Sequence, residues 1–198
     1  MTGRSAIILV GGEARRANGQ EKYFFTMEGR TFIERLVESL GGVVDEIVLV
    51  AKDPAQCRRF SHLEGVRCVT DIRKGMGPIG GLHAGALAAS GDLLFVCACD
   101  MPCVSPGVVR HLFSLIGEED AVIPRWTDEM MEPLHAVYRR TSLVSCMERQ
   151  DLSSLRDLAR SLHVHYVDAG GLASIDPGLR TFTNINRPED LSSLSRGA

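Results

Sequence analysis

The strongest constraint on this chain is an alternation of two patterns. Short runs rich in Ile and Val, at residues 6–10, 46–51, 66–69, 93–97 and 121–123, recur between stretches with helical spacing. Short apolar runs of this kind read as strands buried on both faces. In residues 31–40, Phe32, Ile33, Leu36, Val37 and Leu40 fall on one helical face, and residues 54–60, 79–90 and 106–116 are the next helix candidates. Strand, helix, strand in this order predicts right-handed crossovers and a parallel sheet covered on both sides. After Pro124 the regularity falters. A strand-like run at 134–138 precedes helical segments at 142–149 and 153–162, strands at 164–167 and 181–185, and a last helix opening at Pro188.

Neither an internal repeat nor a linker divides the 198 residues, so a single domain spanning 1–198 is expected. The formal net charge of −3 lacks the basic surplus of a general nucleic-acid binder. A local basic loop can still hold a small phosphorylated ligand. No apolar run approaches the roughly 18 residues that span a bilayer. The five or six apolar residues near the N-terminus are too few for a signal-peptide core, so a cytoplasmic protein without membrane contact is expected. Cysteines 57, 68, 97, 99, 103 and 146 are then expected to be reduced and packed as small hydrophobes.

Ligands of open α/β sheets bind beyond the carboxyl ends of the strands, and four loops there carry unusual chemistry. The first runs from Gly11 and Gly12 through Arg15, Arg16 and Gly19 to Lys22. Its glycines free backbone N–H groups to turn towards an anion, and its cations suit a phosphate chain; a flexible loop with solvated charges is the alternative. It is not a P-loop, because Gln20 follows Gly19 and Tyr23 follows Lys22. The second runs from Asp71 to Gly81, where Gly75, Gly77 and Gly80 formally match a dinucleotide fingerprint. Close packing of the helix that follows explains the same glycines.

The third is Cys97-Ala98-Cys99-Asp100-Met101-Pro102. A carboxylate at the tip of an apolar strand is placed to meet a divalent cation or a ribose, unless Asp100 simply forms the turn. Cys97, Cys99 and Cys103 invite a zinc reading, but no second cysteine pair completes a site. The fourth is the stretch from Asn184 to Leu191, where Asn184 and Asn186 share one side of an extended segment. Capping of the next helix accounts for one of these asparagines but not readily for both.

In this order the four loops resemble one family, the nucleotidyltransferases that attach GMP to the molybdenum cofactor. The resemblance rests on Leu9-Val10-Gly11-Gly12 with Arg16 and Lys22, on Asp71 and Gly77-Pro78-Ile79-Gly80-Gly81, and on Cys99-Asp100-Met101-Pro102. Pro133-Leu134 and the run Asn184-Ile185-Asn186-Arg187-Pro188-Glu189-Asp190-Leu191 complete it. The sequence departs from the family pattern at Arg16-Ala17-Asn18, at Glu21 and at Ala51-Lys52-Asp53. These departures bear on base recognition more than on the type of reaction.

The resemblance implies a three-layer, Rossmann-like α/β sandwich with a mostly parallel sheet, of the nucleotide-diphospho-sugar transferase type. It implies GTP and molybdopterin as substrates, Mg²⁺ as cofactor, and partner proteins that donate or receive the pterin cofactor. Lys22, Arg16, Gly11 and Gly12 would hold the triphosphate, and Leu9, Val10 and Gly11 would meet the base edge through backbone groups. Asp71 and Gly80 would lie along the nucleotide, and Asp100 would ligate the metal. Asn184 and Asn186 would sit near the metal and the acceptor phosphate. His135 either faces the pterin or is structural. Related enzymes that use CTP or another acceptor phosphate share the pattern. An NAD(P)-binding oxidoreductase or regulatory domain built on Gly75–Gly80 is the outside alternative. Against it, the strongest glycine-rich basic loop follows the first strand and lacks G-x-G-x-x-G.

Overall fold

The computed structural model describes residues 2–10, 24–72, 76–149, 152–187 and 190. In chain order the elements are β1 (Arg4–Leu9), β2 (Thr26–Met27), β3 (Arg30–Thr31), α1 (Phe32–Gly41), β4 (Glu46–Ala51), α2 (Pro54–Arg58) and β5 (Val66–Thr70). They continue with α3 (Pro78–Ala88), β6 (Leu93–Ala98), α4 (Pro106–Leu115), β7 (Ala121–Arg125), β8 (His135–Arg139), α5 (Arg140–Arg149), α6 (Leu155–Ser161) and β9 (Val164–Asp168). Short 3-10 turns follow at Gly170–Ser174 and Arg180–Phe182. The β2–β3 hairpin has no periodic signal strong enough to be anticipated from sequence.

Seven strands form one sheet in the order β5-β4-β1-β6-β8-β7-β9. Along β1, Ala6 and Ile8 face one core while Ile7 and Leu9 face the other. The first core packs α1 and α4 through Ile33, Leu36, Leu40, Val108 and Leu112; the second packs α3, α5 and α6 through Ile79, Leu82, Leu143, Met147 and Leu158. Helix, sheet, helix makes three layers, and the strand pairings are parallel apart from those of β8. The chain reverses there for a simple reason. Only residues 126–134 connect β7 to β8, short of the dozen or so that a parallel crossover needs.

Local chemistry sets the element ends. Thr31 caps α1 and Glu34 reaches back to its backbone N–H, a reciprocal capping box. Helix α3 lies very close to the sheet: a Cβ on Gly85 would stand 2.6 Å from Ile7 Cγ2, and one on Gly81 would stand 3.4 Å from Leu9 Cδ2. Close packing therefore accounts for these two glycines.

Two expectations change. Residues 181–185 are not a strand. Thr181 sits in a 3-10 turn, pinned by its N–H to Asp176 Oδ2 at 2.7 Å and by its hydroxyl accepting the Ser105 N–H at 3.0 Å. Cys57 and Cys68 are not separate thiols; they form a disulfide between α2 and β5, with Cα atoms 5.7 Å apart, well within bridging range. Cys97 and Cys146 remain buried thiols as expected. The last helix, expected from Pro188, falls outside the described residues. No described helix is long and apolar enough to cross a membrane.

At the amino ends of the strands, Glu46 ties β4 to its neighbours. It accepts the Ser5 hydroxyl at 2.7 Å and the Ser90 N–H at 2.8 Å, and it pairs with Arg67 at 2.9 Å. Burial works to raise this carboxyl, but the hydrogen bonds from Ser90, Ser5 and Arg67 outweigh it and hold Glu46 down at about 2.

Candidate active site

The strand order reverses between β1 and β6. From β1 the chain builds outward through β4 and β5, then returns to place β6 on the other side. Such a switch point opens a crevice at the carboxyl ends of the two strands. Here the Cys99 N–H donates to the Leu9 carbonyl at 3.1 Å, setting the tip of β6 beside the tip of β1. Asp100 follows in the turn, half-buried, and its own carbonyl accepts the Ile185 N–H at 2.8 Å. Ile185 is fully buried against Phe25 and Phe32. Asn184 and Asn186, on either side of buried Ile185, are exposed. A plug of one isoleucine thus carries two amides to the edge of the Asp100 turn. Sequence reasoning placed the two asparagines together but missed the residue that holds them there.

On the other flank of β1, Asp71 follows β5, and its N–H donates to the Ala51 carbonyl at 2.8 Å. Gly77 opens α3 at a φ of +59°, a conformation suited to glycine, and it supplies no side-chain cap. The first-turn N–H groups of α3, including that of buried Gly80, therefore lie on the same rim as Asp71. Val10 is more committed than expected. Its N–H serves the Val50 carbonyl at 3.0 Å and its carbonyl takes the Gln56 amide at 3.4 Å, so it cannot offer an open N–H to a base. Asp53 is the N-cap of α2 and accepts the Gln56 N–H at 2.8 Å.

His135 does not face an acceptor. It is buried between Phe95 (5.1 Å) and Phe182 (4.9 Å), with Nε2 on the Thr181 hydroxyl at 3.0 Å. Burial pushes its imidazole down to about 3, so it stays neutral and joins β8 to the turn at Thr181. Cys97 is equally enclosed, and burial, with the nearby Cys99 and Asp100, drives its thiol up, away from the thiolate that a zinc ligand must be. Gly11, Gly12, Arg15, Arg16 and Lys22 lie outside the described residues.

The oxygen donors on the two backbone segments joined here are the Asp100 carboxylate and the Asn184 and Asn186 amides. Among the described residues no group of three or more His, Cys, Asp or Glu could hold a metal. That set fits Mg²⁺, which takes oxygen ligands, keeps several waters and uses one or two carboxylates together with substrate phosphates.

Residues 6–167 match the family model of the MobA-like NTP transferase domain. The chain belongs to this family. A probable molybdenum cofactor guanylyltransferase of Methanosarcina mazei is 40% identical, over 96% of this chain and 89% of its own. A molybdenum cofactor guanylyltransferase of Desulfosudis oleivorans is 34% identical, over 94% of this chain and 92% of its own. The crystal structure of molybdopterin-guanine dinucleotide biosynthesis protein A from Archaeoglobus fulgidus superimposes with a TM-score of 0.80 at 33% identity, covering 97% of each chain. The MobA-like sheet, with its switch point between β1 and β6 and its single reversed strand, is thus the expected nucleotide-diphospho-sugar transferase fold.

Proposed function

We propose that this protein is a Mg²⁺-dependent molybdenum cofactor guanylyltransferase, acting in the cytoplasm on GTP and molybdopterin. A terminal phosphate oxygen of the pterin attacks the α-phosphorus of GTP. The new P–O bond forms as the bond to the β-phosphate oxygen breaks, and pyrophosphate leaves. The observation that carries this reading is the meeting of β1, β6 and the segment around Ile185 at one switch point. It brings the turn of Asp100 beside the segment that carries Asn184 and Asn186, which supports reading this rim as the reaction site.

Each residue then has a physical task. Lys22, Arg16 and the N–H groups of Gly11 and Gly12 hold the triphosphate and offset its charge. Asp71, Gly80 and Leu9 lie along the nucleoside. Asp100 would hold the metal, and Asn184 and Asn186 orient the acceptor phosphate for in-line attack. A Mg²⁺ ion held by Asp100 would supply positive charge against the negative charge building at the reacting centre. No covalent enzyme intermediate is required. Proteins that donate or receive the pterin cofactor would dock near the same rim.

Calorimetric titration with GTP, CTP, ATP and NADH in the presence of Mg²⁺ tests the assignment. GTP binds most tightly on this account, and Lys22→Ala weakens it or lowers kcat. Tight NADH binding would overturn the assignment, and a preference for CTP would change the base.

A further inference from the structure

Beyond Arg125 the chain makes a tight turn at the rim that also carries Asp100. The Trp126 N–H donates to the Met130 carbonyl at 2.8 Å, the Met130 N–H returns to Thr127 at 3.2 Å, and Arg156 holds the Glu129 carbonyl at 2.9 Å. The Glu132 N–H then bonds the Pro124 carbonyl at 2.8 Å, which folds Glu132 back beside Trp126. The indole N–H donates to Glu132 Oε1 at 2.9 Å. The indole also meets Phe182 edge to face at 5.4 Å, and Phe182 meets His135 in the same way at 4.9 Å. Trp126 is therefore braced from two sides, yet it remains 37% exposed, with Met130 exposed on the same turn.

Glu132 is half-buried beside it. Burial raises its carboxyl above the usual range, and the indole N–H is the partner that opposes this. A carboxylate has about four acceptor positions, so one indole leaves capacity for further donors. A braced, open aromatic face next to such a carboxylate suits a flat heteroaromatic ring with adjacent N–H donors.

We propose that Trp126 and Glu132 form the subsite for the acceptor's bicyclic ring. The indole stacks on the ring, and the carboxylate takes the paired N–H donors of a 2-amino-4-oxopyrimidine edge. The inference rests on the reading of this protein as a transferase to a pterin phosphate. Guanine presents the same edge, and the sheet order separates the two. Leu9, Asp71 and Gly80 belong to the side of β1, β4 and β5, whereas Trp126 and Glu132 flank β7 and β8 beyond β6. The ring at Trp126 is then the acceptor's, and the nucleoside lies across Asp100.

Trp126 is the one tryptophan in the chain, so indole emission reports on this position alone. The full-length protein is titrated with 6-hydroxymethylpterin monophosphate, with its lumazine counterpart bearing oxo in place of the 2-amino group, and with GTP. The pterin is expected to quench the emission, and the lumazine to bind at least about tenfold more weakly. Glu132→Gln keeps an oxygen for the indole but places an amide NH₂ against the ring donors. It should abolish that discrimination and raise the KM for molybdopterin about tenfold, leaving the KM for GTP and the thermal midpoint unchanged. Equal binding of pterin and lumazine, quenching by GTP rather than the pterin, or an unaltered Glu132→Gln would overturn the proposal. Wild-type turnover is measured alongside. If GTP and molybdopterin give no dinucleotide, the transferase reading falls and the subsite with it. If they do and Glu132→Gln behaves as wild type, the subsite alone is wrong.

Discussion

The Asp100 carbonyl accepts the Ile185 N–H at 2.8 Å, so a residue at the tip of β6 is fastened to one that lies 85 positions later. The bond uses backbone atoms only. Replacing the Asp100, Asn184 or Asn186 side chain therefore leaves that bond in place, so their chemistry can be probed by mutation while it persists.

Asp100→Asn is expected to lower kcat/KM by about 100-fold or more, because charge stabilisation at the reacting phosphate is lost. The backbone bond to Ile185 survives, so the thermal midpoint stays near that of wild type. Steady-state assays with a parallel melt check both halves; full activity at saturating Mg²⁺ would remove Asp100 from the metal site.

Ile185→Ala should behave in the opposite way at first. Removing a fully buried side chain from the pocket of Phe25 and Phe32 costs about 2–4 kcal/mol. Denaturant unfolding measures this loss. Activity per folded molecule should also fall, since both asparagines depend on the plug for their place.

Gly85→Val tests the close approach of α3 to the sheet. A Cβ at this position would meet Ile7 Cγ2 at 2.6 Å and Val50 Cγ2 at 3.0 Å, and both belong to β-branched side chains with little freedom to move. Overpacking is expected to cost about 1–3 kcal/mol, more than any gain in helix propensity returns. Chemical denaturation would show it, and a stabilised variant would mean that the contact is slack.

Two groups predict how stability depends on pH. His135 is held near 3 by burial, against an ordinary value of 6.5. Its contribution is complete above 6.5 and falls as the pH drops from there towards 3, because the unfolded chain takes up the proton first. Glu46 is held at about 2 against an ordinary 4.5, so its contribution begins to fall only below 4.5. After allowance for solvent screening, the Glu46 network is worth about 1–2 kcal/mol at neutral pH. Unfolding measured between pH 5 and 6.5 should therefore lose stability in wild type but not in a His135→Phe variant that folds. Glu46→Gln should flatten the curve only below pH 4.5.

Much of this fold was legible in the chain because β1, β4 and β6 are buried on both faces and announce themselves as uninterrupted Ile and Val runs. Asp100, Asn184 and Asn186 stand out in the sequence because each sits at the end of such a run or in a patterned turn. What escaped depends on distant partners. Nothing near Thr181 in sequence signals the bonds from Ser105 and to Asp176 that wind it into a 3-10 turn. Nothing near Cys57 signals that β5 will bring Cys68 within reach. The sequence leaves His135 either facing the pterin or structural, because Phe95 and Phe182, which enclose it, come from elements far away in the chain. The pairing of Trp126 with Glu132 is invisible in the sequence for the same reason, since it exists only once the turn between β7 and β8 closes.

The central claim is tested most directly by incubating the purified protein with GTP labelled at the α-phosphate, molybdopterin and Mg²⁺, and following pyrophosphate and label together. The account predicts one pyrophosphate released for each labelled GMP joined to the pterin, with no release when either substrate is omitted. Pyrophosphate release that does not require molybdopterin, or label that never reaches it, would contradict the account.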